Sequence, residues 1–193
     1  MGKSVEERVR RHIENFANPD LHVSSMAERY MLRHYGVRAI DQLIKACDHT
    51  NPMTRLRAAW VLGYTKDPRA YGPILRLTDD PNERVRYDAT VALGILGDKR
   101  GLQHLLRMYW EDDDTRPAWL AFQKCGPPAL PVLKRLLRNR DSSVRVNALN
   151  ILGDIALNFC DPECLELLKK QLNDPDPEIR ADTEFWLGKI AEK

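Results

Sequence analysis

Five basic residues recur at one position of a repeated sequence pattern. Each lies six residues after a small residue that opens an apolar run, and the positions one and four residues after that small residue are apolar in every copy. On a helix this register directs the basic side chain away from the buried face. Lysine and especially arginine bind carboxylate and phosphate groups well, so the row predicts an acidic or phosphate-bearing ligand. The five residues are Lys45, Arg76, Arg107, Arg135 and Lys170.

Local ion pairing is the alternative explanation for this basic row. Asp41 lies four residues before Lys45, and Glu166 lies four residues before Lys170. Acids at this spacing form weak ion pairs on a helix surface, so pairing accounts for the two end members. The three middle arginines have no acid at that spacing, which favours the ligand-binding interpretation for them. The residues found there are Gly72, Gln103 and Pro131.

Further residues extend the row in its central copies. Gln103 and His104 lie about one helical turn before Arg107, and Trp110 and Arg138 each lie nine residues after their small residue. Tryptophan beside arginine is typical of binding hot spots, although Trp110 could equally fill a gap before the loop that follows. We therefore predict a partner-binding surface made of Lys45, Arg76, Gln103, His104, Arg107, Trp110, Arg135, Arg138 and Lys170.

The segment "WEDDDTRPAW" is a candidate for catalysis. Carboxylates flanked by Trp110 and Trp119 make it similar to helical-repeat DNA glycosylases, in which an acid and aromatic residues work in a basic cleft. Four consecutive acids would repel a phosphate backbone, and acids also stabilise the first turn of the helix that follows. The second explanation is the simpler one, so we predict no catalytic residue here.

The sequence contains no convincing metal or cofactor site. The five histidines are dispersed, and the pair in "CDPEC", Cys160 and Cys164, lacks the second pair of ligands that a structural zinc site requires. We expect Cys164 to pack in the interior and Cys160 to lie in a long turn. The prediction is therefore no metal, no cofactor and no catalytic constellation.

The basic row is positioned by a repeated pair of helices. The distance from each small residue to the next repeated glycine is 24, 24, 25, 24 and 24 residues. The distance from each repeated glycine to the small residue that follows it varies widely. Packed helices must keep register but exposed turns need not, so we place nearly all of the length variation in one turn of each unit. The repeated glycines are expected to be left-handed helix C-caps. They are Gly36, Gly63, Gly94, Gly126, Gly153 and Gly188.

The first residues of the predicted helices carry capping signals. Asn51, Asn82, Asp114, Asp141 and Asp176 are N-cap residue types at equivalent positions. Pro52 and Pro177 follow at the first helical position, where proline is favoured. Ser4 and Glu7 form a capping-box pattern for an N-terminal helix, which we expect to bury Val5, Val9, Ile13 and Phe16.

This pattern resembles HEAT repeats, particularly the short type of phycobilisome-lyase-like proteins. "DPNERVRYDATVALGILGD" and "CGPPALPVLKRLLRNRDSSVRVNAL" carry the resemblance, which covers residues from about 24 to 190. It implies an all-α, right-handed superhelix over residues 1–193, in one solenoid whose second helices line the concave side. The repeated arginine after each N-cap would tie adjacent hairpins together through Asp67, Asp98 or Asp154. We divide the chain into an N-terminal capping helix, five hairpins and a C-terminal capping helix, at 1–20, 24–172 and 176–190.

Composition limits the function classes. The chain has 193 residues, 43% hydrophobic and 30% charged, with a net charge of +2. Neither a secretory signal nor a membrane-spanning segment is visible, and four scattered cysteines fit a reducing cytoplasm. We predict a non-catalytic, monomeric scaffold or adaptor that binds protein or peptide. The alternative is nucleic-acid binding, with or without glycosylase activity, and the third possibility is a bilin lyase or isomerase.

Overall fold

The computed structural model describes residues 4–111 and 116–193, without the side chains of Trp110 and Glu111. Throughout these residues the regular structure is helical and contains no strand, which confirms the predicted all-α class. The α-helices are α1 Val5–Glu14, α2 Leu21–His34, α3 Ile40–Ala46, α4 Pro52–Thr65, α5 Tyr71–Leu77, α6 Glu83–Leu96, α7 Lys99–Glu111, α8 Arg116–Cys125, α9 Leu130–Leu136, α10 Ser142–Phe159, α11 Pro162–Gln171 and α12 Pro177–Ala191.

The chain divides into two compact units, Met1–Ala121 and Phe122–Lys193. In the first unit the first helices of consecutive hairpins pack in one layer, α2 on α4 and α4 on α6, and the second helices α3, α5 and α7 pack against them. In the second unit α10 packs on α12, while α9 and α11 pack against α10. Both arrangements are those of stacked helical hairpins.

Helix starts follow the predicted capping chemistry. The side chains of Asn51, Asn82, Asp141 and Asp176 each accept a hydrogen bond from a first-turn amide, at 2.8 to 3.2 Å. The reciprocal hydrogen bonds between Ser4 and Glu7 form the capping box. The remaining predicted cap, Asp114, lies outside the described residues.

The repeated arginines join consecutive repeats, as predicted, but through different aspartates. Arg55 donates from Nε and Nη2 to the carboxylate of Asp80 at 2.7 and 2.8 Å. Arg145 makes the same two bonds to Asp174, both at 2.9 Å. Each aspartate is buried and lies two residues before the N-cap of the next repeat. The bidentate guanidinium of Arg55 holds the pKa of Asp80 below its usual value.

The repeated arginine of the next repeat binds the same aspartate through its backbone carbonyl. Arg86 donates to the backbone carbonyl of Asp80 at 2.9 Å, and Arg180 donates to that of Asp174 at 2.7 Å. The predicted partners Asp67, Asp98 and Asp154 are wrong. They instead bind Arg69, Arg100 and Gln123, respectively.

Most of the repeated glycines are not C-caps. Gly63, Gly94, Gly153 and Gly188 lie inside helices, and only Gly36 and Gly126 among the predicted caps have positive φ. A Cβ on Gly63 would lie 2.8 Å from the carbonyl oxygen of Ala92 on the next first helix, and one on Gly94 would overlap the carbonyl of Ala121. A Cβ on Gly153 would overlap the ring of Trp186. These glycines therefore allow neighbouring first helices to approach closely.

The difference in length between repeats lies mainly in the first helix rather than in the turn that follows it. In the fifth repeat, α10 continues six residues beyond Gly153 to Phe159, and only Cys160 and Asp161 separate it from α11. Cys160 is the exposed C-cap, with φ of 52°, so the predicted long turn is wrong. Cys164 is fully buried, as predicted.

The N-terminal helix buries only part of its predicted face. Val9 and Phe16 are fully buried, whereas Ile13 is half-buried and Val5 is 39% exposed. Phe16 lies in a 3-10 turn, Asn15–Ala17, that packs on α2 and α4. This turn therefore anchors the beginning of the array.

Candidate functional site

The second-helix register is the one that the sequence predicts. The apolar positions are buried, as for Leu43, Ile74, Leu105, Leu133 and Leu168, although Tyr71 and Leu165 are only half-buried. All five side chains of the basic row are exposed: Lys45, Arg76, Arg107, Arg135 and Lys170. The row is thus available to a ligand within each unit.

The ion pairs predicted at the ends of the row are wrong. Asp41 accepts from Arg69 of the next repeat at 3.1 Å, not from Lys45. Glu166 binds Lys169, three residues away, at 2.9 Å, not Lys170. Neither Lys45 nor Lys170 forms an ion pair with any residue that the structure describes. Pairing therefore does not explain the ends of the row.

In the middle of the row, by contrast, Arg76 makes a contact between repeats that the sequence does not reveal. Arg76 reaches Asp48 of the preceding repeat at 3.3 Å, with both side chains more than half exposed. Such a pair is worth between 0 and about 1 kcal/mol. A search for partners four residues away on the same helix cannot find it, because the acid belongs to another repeat.

A hydrogen-bonded chain connects three residues of the first unit. Nη2 of Arg107 lies 2.9 Å from Nδ1 of His104, and Nε2 of His104 lies 3.3 Å from the hydroxyl of Thr78. Because a guanidinium can only donate, Nδ1 accepts and Nε2 carries the proton in this arrangement. The hydroxyl of Thr78 donates onward to the carbonyl of Leu75 at 2.7 Å. His104 therefore links Arg107 to Thr78 through hydrogen bonds.

Lys45 borders a cleft of about 590 Å³ between α1 and α3. The cleft has a mixed lining, in which Arg10, Arg38 and Lys45 are matched by the three acids Glu6, Glu14 and Asp41. This balance of charge gives the cleft no preference for an anion. Lys45 therefore differs from the remainder of the basic row in its surroundings.

The second unit contains a basic groove of about 470 Å³, between α9 and α11. Arg138 and Lys170, both predicted site residues, line it together with Lys134. Asp174, the one acid among the described residues that line it, is buried and already bound by Arg145. Lys134 pairs with Glu163, whereas Arg138 and Lys170 bind no side chain among the described residues. The groove therefore has an excess of positive charge.

The remaining predicted site residues are dispersed. Gln103 is exposed on α7, and Arg135 is exposed on α9 but does not line the groove. The Trp110 side chain and most of the acidic segment lie outside the described residues; Trp119 is half-buried in α8. Sequence reasoning missed Lys134, which directly precedes Arg135 but falls outside the repeated register.

The surroundings of two cysteines, Cys47 and Cys164, keep their thiols protonated. Burial raises the pKa of Cys47 to about 12, and that of Cys164 to about 12 as well. A thiol with such a pKa is protonated at neutral pH and is therefore a poor nucleophile. Among the described residues no cluster of potential metal ligands is found.

The sequence matches the family model of HEAT repeats over residues 40–124 and 118–188. The chain belongs to the HEAT-repeat family. No curated protein matches it significantly. No helix among the described residues is long and apolar enough to cross a membrane.

Solved structures of HEAT-like proteins are similar in fold. The complex of CpcE and CpcF of phycocyanin lyase from Nostoc sp. PCC7120 matches with a TM-score of 0.50 and 21% identity, covering 98% of this chain and 78% of that one. Human deoxyhypusine hydroxylase matches with a TM-score of 0.42 and 19% identity, over 97% of each chain. An engineered protein matches with a TM-score of 0.43 and 20% identity, over 96% of this chain and 97% of that one. At these identities the similarity concerns the fold alone.

Proposed function

We propose that the chain is a non-catalytic binding module whose second-helix face holds an acidic or phosphate-bearing segment of a protein partner. HEAT repeats form helical-repeat scaffolds, and function on such folds depends on the particular surface that is presented. The observation that carries the proposal is the basic groove of the second unit, lined by Lys134, Arg138 and Lys170.

Three properties of this groove favour an anionic peptide. Its volume of about 470 Å³ is within the 300 to 1,000 Å³ of common ligand pockets. Its buried acid, Asp174, is neutralised by two hydrogen bonds from Arg145. Arg138 is an exposed guanidinium that can make two parallel bonds to a carboxylate or phosphate.

The experiment begins with capture of partners from a native lysate, with and without nuclease, followed by direct titration. The probes are a fluorescent phosphoserine peptide and a single-stranded oligonucleotide of equal net charge. We expect the peptide to bind more tightly, with a modest salt dependence. Preferential oligonucleotide binding that weakens log-linearly with salt would contradict the proposal and favour nucleic-acid binding.

A matched pair of variants locates the site. Arg138→Gln with Lys170→Gln removes two charges from the groove and is expected to weaken phosphopeptide binding at least tenfold. Lys124→Gln with Arg140→Gln removes two exposed charges of the same unit outside the groove. Equal losses in both variants would show that net charge, rather than the groove, determines binding.

The three middle members of the basic row are tested in parallel. Changing Arg76, Arg107 and Arg135 together to glutamine is expected to reduce partner capture while lowering stability by about 0.5 kcal/mol or less per site, as for other surface substitutions. Normal capture by a folded triple variant would remove these arginines from the proposed surface. Loss of folding would assign them a structural role.

A further inference from the structure

A row of three residues on α10 forms the surface on which α12 packs. The row consists of Arg145, Leu149 and Gly153, which are spaced four residues apart and so lie on one face of the helix. Arg145 binds the carboxylate of Asp174, in the loop before α12. A Cβ on Gly153 would overlap the ring of Trp186, and Leu149 is fully buried. Both ends of the row therefore contact the next repeat.

The equivalent row of α4 makes the same contacts to α6. Arg55 binds the carboxylate of Asp80, in the loop before α6. Ala59 is fully buried, and a Cβ on Gly63 would lie 2.8 Å from the carbonyl oxygen of Ala92. Two separate helix contacts thus use an arginine, a buried middle residue and a glycine in the same order.

The third such row, on α12, is left uncovered by the described residues. It consists of Arg180, Glu184 and Gly188, and its second and third members are exposed. A Cβ on Gly188 would meet no atom within 4 Å. The outer face of α12 therefore has the form of a helix-packing surface on which no described helix packs.

Arg180 has the orientation that Arg145 uses to bind a carboxylate. Its Nη1 donates to the carbonyls of Asp174 and Pro175 at 2.7 and 3.0 Å. Nη1 of Arg145 likewise donates to two successive carbonyls of its own preceding loop, and this leaves Nε and Nη2 for the next aspartate. In Arg180 the Nε and Nη2 groups have no acceptor among the described residues. This edge of the guanidinium is therefore available to an external carboxylate.

The row also indicates the chemistry of its occupant. In both internal contacts the acceptor is an aspartate two residues before the N-cap of an α-helix, and that helix crosses the glycine. Glu184 differs from its counterparts Ala59 and Leu149, because a carboxylate covered by a helix requires a partner of opposite charge. The occupant is therefore a helix that carries an acid in its preceding loop and a basic residue on its contact face.

A second copy of the chain does not supply this acid. Packed in the same orientation, it would present the loop before α2, where Asn18 lies two residues before the N-cap Asp20. The side chain of Asn18 has a single oxygen, which already accepts from the amide of Asp20 at 2.9 Å. It cannot accept both guanidinium bonds as a carboxylate does. A different protein is therefore the better match.

We propose that the outer face of α12 binds an α-helix of a different protein, in the way that α12 itself packs on α10. An aspartate or glutamate before that helix binds Nε and Nη2 of Arg180. The helix approaches most closely at Gly188, and its lysine or arginine pairs with Glu184. This surface is independent of the basic groove, which lies between α9 and α11.

The first experiment supplies a helix of known packing behaviour. A second copy of residues 174–193 is joined behind Lys193 through about 20 Gly and Ser residues, because an isolated helix of this length is marginally stable and a tether raises its effective concentration. The linker spans about 25 Å, enough to return along the roughly 22 Å of α12. We expect NMR shifts of the Arg180 Nε–H and Gly188 amide signals.

The added helix is the natural partner of a row with leucine in the middle, so Glu184→Leu is expected to favour docking at least tenfold. Asp174→Asn in the added copy alone removes the carboxylate offered to Arg180 and should weaken docking at least tenfold. Shifts that are absent from the Glu184→Leu chain, or docking that is unchanged by either substitution, would overturn the proposal.

Gly188→Leu separates docking from folding. Since a Cβ at Gly188 meets no atom, the variant should unfold at the same or a higher denaturant concentration. It should nevertheless abolish docking of the added helix, because its side chain occupies the point of closest approach. A destabilised variant, or one that still docks the helix, would contradict the assignment.

Photocrosslinking of the full chain identifies the natural occupant. Phe185 is 56% exposed, and its counterpart on α10, Asn150, accepts a hydrogen bond from the indole of Trp186 at 3.0 Å. Phe185 is replaced by p-benzoylphenylalanine, the chain is irradiated in native lysate, and crosslinked segments are sequenced by mass spectrometry. We expect a helix of another protein with an acid in its preceding loop, lost in Gly188→Leu. Crosslinks to a second copy, to segments without such an acid, or to nothing would overturn the proposal.

Discussion

At the scale of single residues, the bond between Arg55 and Asp80 couples two consecutive repeats. Asp80→Asn keeps the shape of the side chain but removes its charge, so two charge-assisted hydrogen bonds are weakened. We expect a loss of about 2 kcal/mol in the free energy of unfolding at pH 7, which urea denaturation would measure. The control is Asp79→Asn at the exposed neighbouring position, where a change within about 0.5 kcal/mol is expected.

The same pair predicts a pH dependence. The pKa of Asp80 is lower in the folded than in the unfolded chain, so its contribution is complete above the unfolded value of about 3.9. It is lost as the pH falls through the folded value. The difference between wild type and Asp80→Asn should therefore be largest at pH 7 and shrink progressively below about pH 4. A difference that is constant from pH 7 to pH 3 would exclude this electrostatic origin.

Two glycines in equivalent helices should respond with opposite sign. A Cβ on Gly63 would lie 2.8 Å from the backbone carbonyl of Ala92, whereas one on Gly188 would meet nothing within 4 Å. We expect Gly63→Ala to destabilise the protein by about 1 to 3 kcal/mol through overpacking. Gly188→Ala should stabilise it by up to about 1 kcal/mol, since alanine is the better helix former. Denaturant unfolding of both variants tests this, and equal effects would contradict the close approach.

At the scale of helices, the 3-10 turn after α1 determines how the array begins. Phe16 is fully buried between α2 and α4, whereas Val5 is 39% exposed. Phe16→Ala is expected to lower the free energy of unfolding by about 3 to 5 kcal/mol, and Val5→Ala by well under about 1 kcal/mol.

Deleting residues 1–20 should uncover the same apolar surface and promote aggregation. A monomeric deletion variant of unchanged stability would show that α1 does not cap the array.

The sequence predicted those features of the helices that depend on one repeat. N-caps need only a short polar side chain beside a first-turn amide, and the buried register of the second helices needs only periodicity. The inter-repeat partners of Arg55 and Arg76 were missed because they depend on which residues of the next repeat come within reach. The interpretation of Gly63 failed for the same reason, since a glycine before a turn and a glycine at a helix crossing look identical in sequence.

At the scale of the whole chain, a helical-repeat architecture predicts that a destabilising substitution lowers stability mainly in its own repeat and the adjacent ones. In repeat arrays the stability is approximately the sum of terms within repeats and between nearest neighbours. Gly63 lies where α4 packs on α6, so Gly63→Ala should lower hydrogen-exchange protection in α4 and α6 first. Amides of α10 and α12, which pack on one another in the second unit, should keep their wild-type protection.

Hydrogen exchange followed by mass spectrometry distinguishes this behaviour from global cooperativity. In a globally cooperative protein every strongly protected amide opens with the same free energy, so Gly63→Ala would lower protection in both units equally. The reciprocal variant Gly153→Ala, which forces a Cβ against the ring of Trp186, should instead affect α10 and α12 and spare α4 and α6. Opposite regional patterns in the two variants would establish two energetic units. A uniform loss in both would show that the chain unfolds as a single cooperative unit despite its repeated construction.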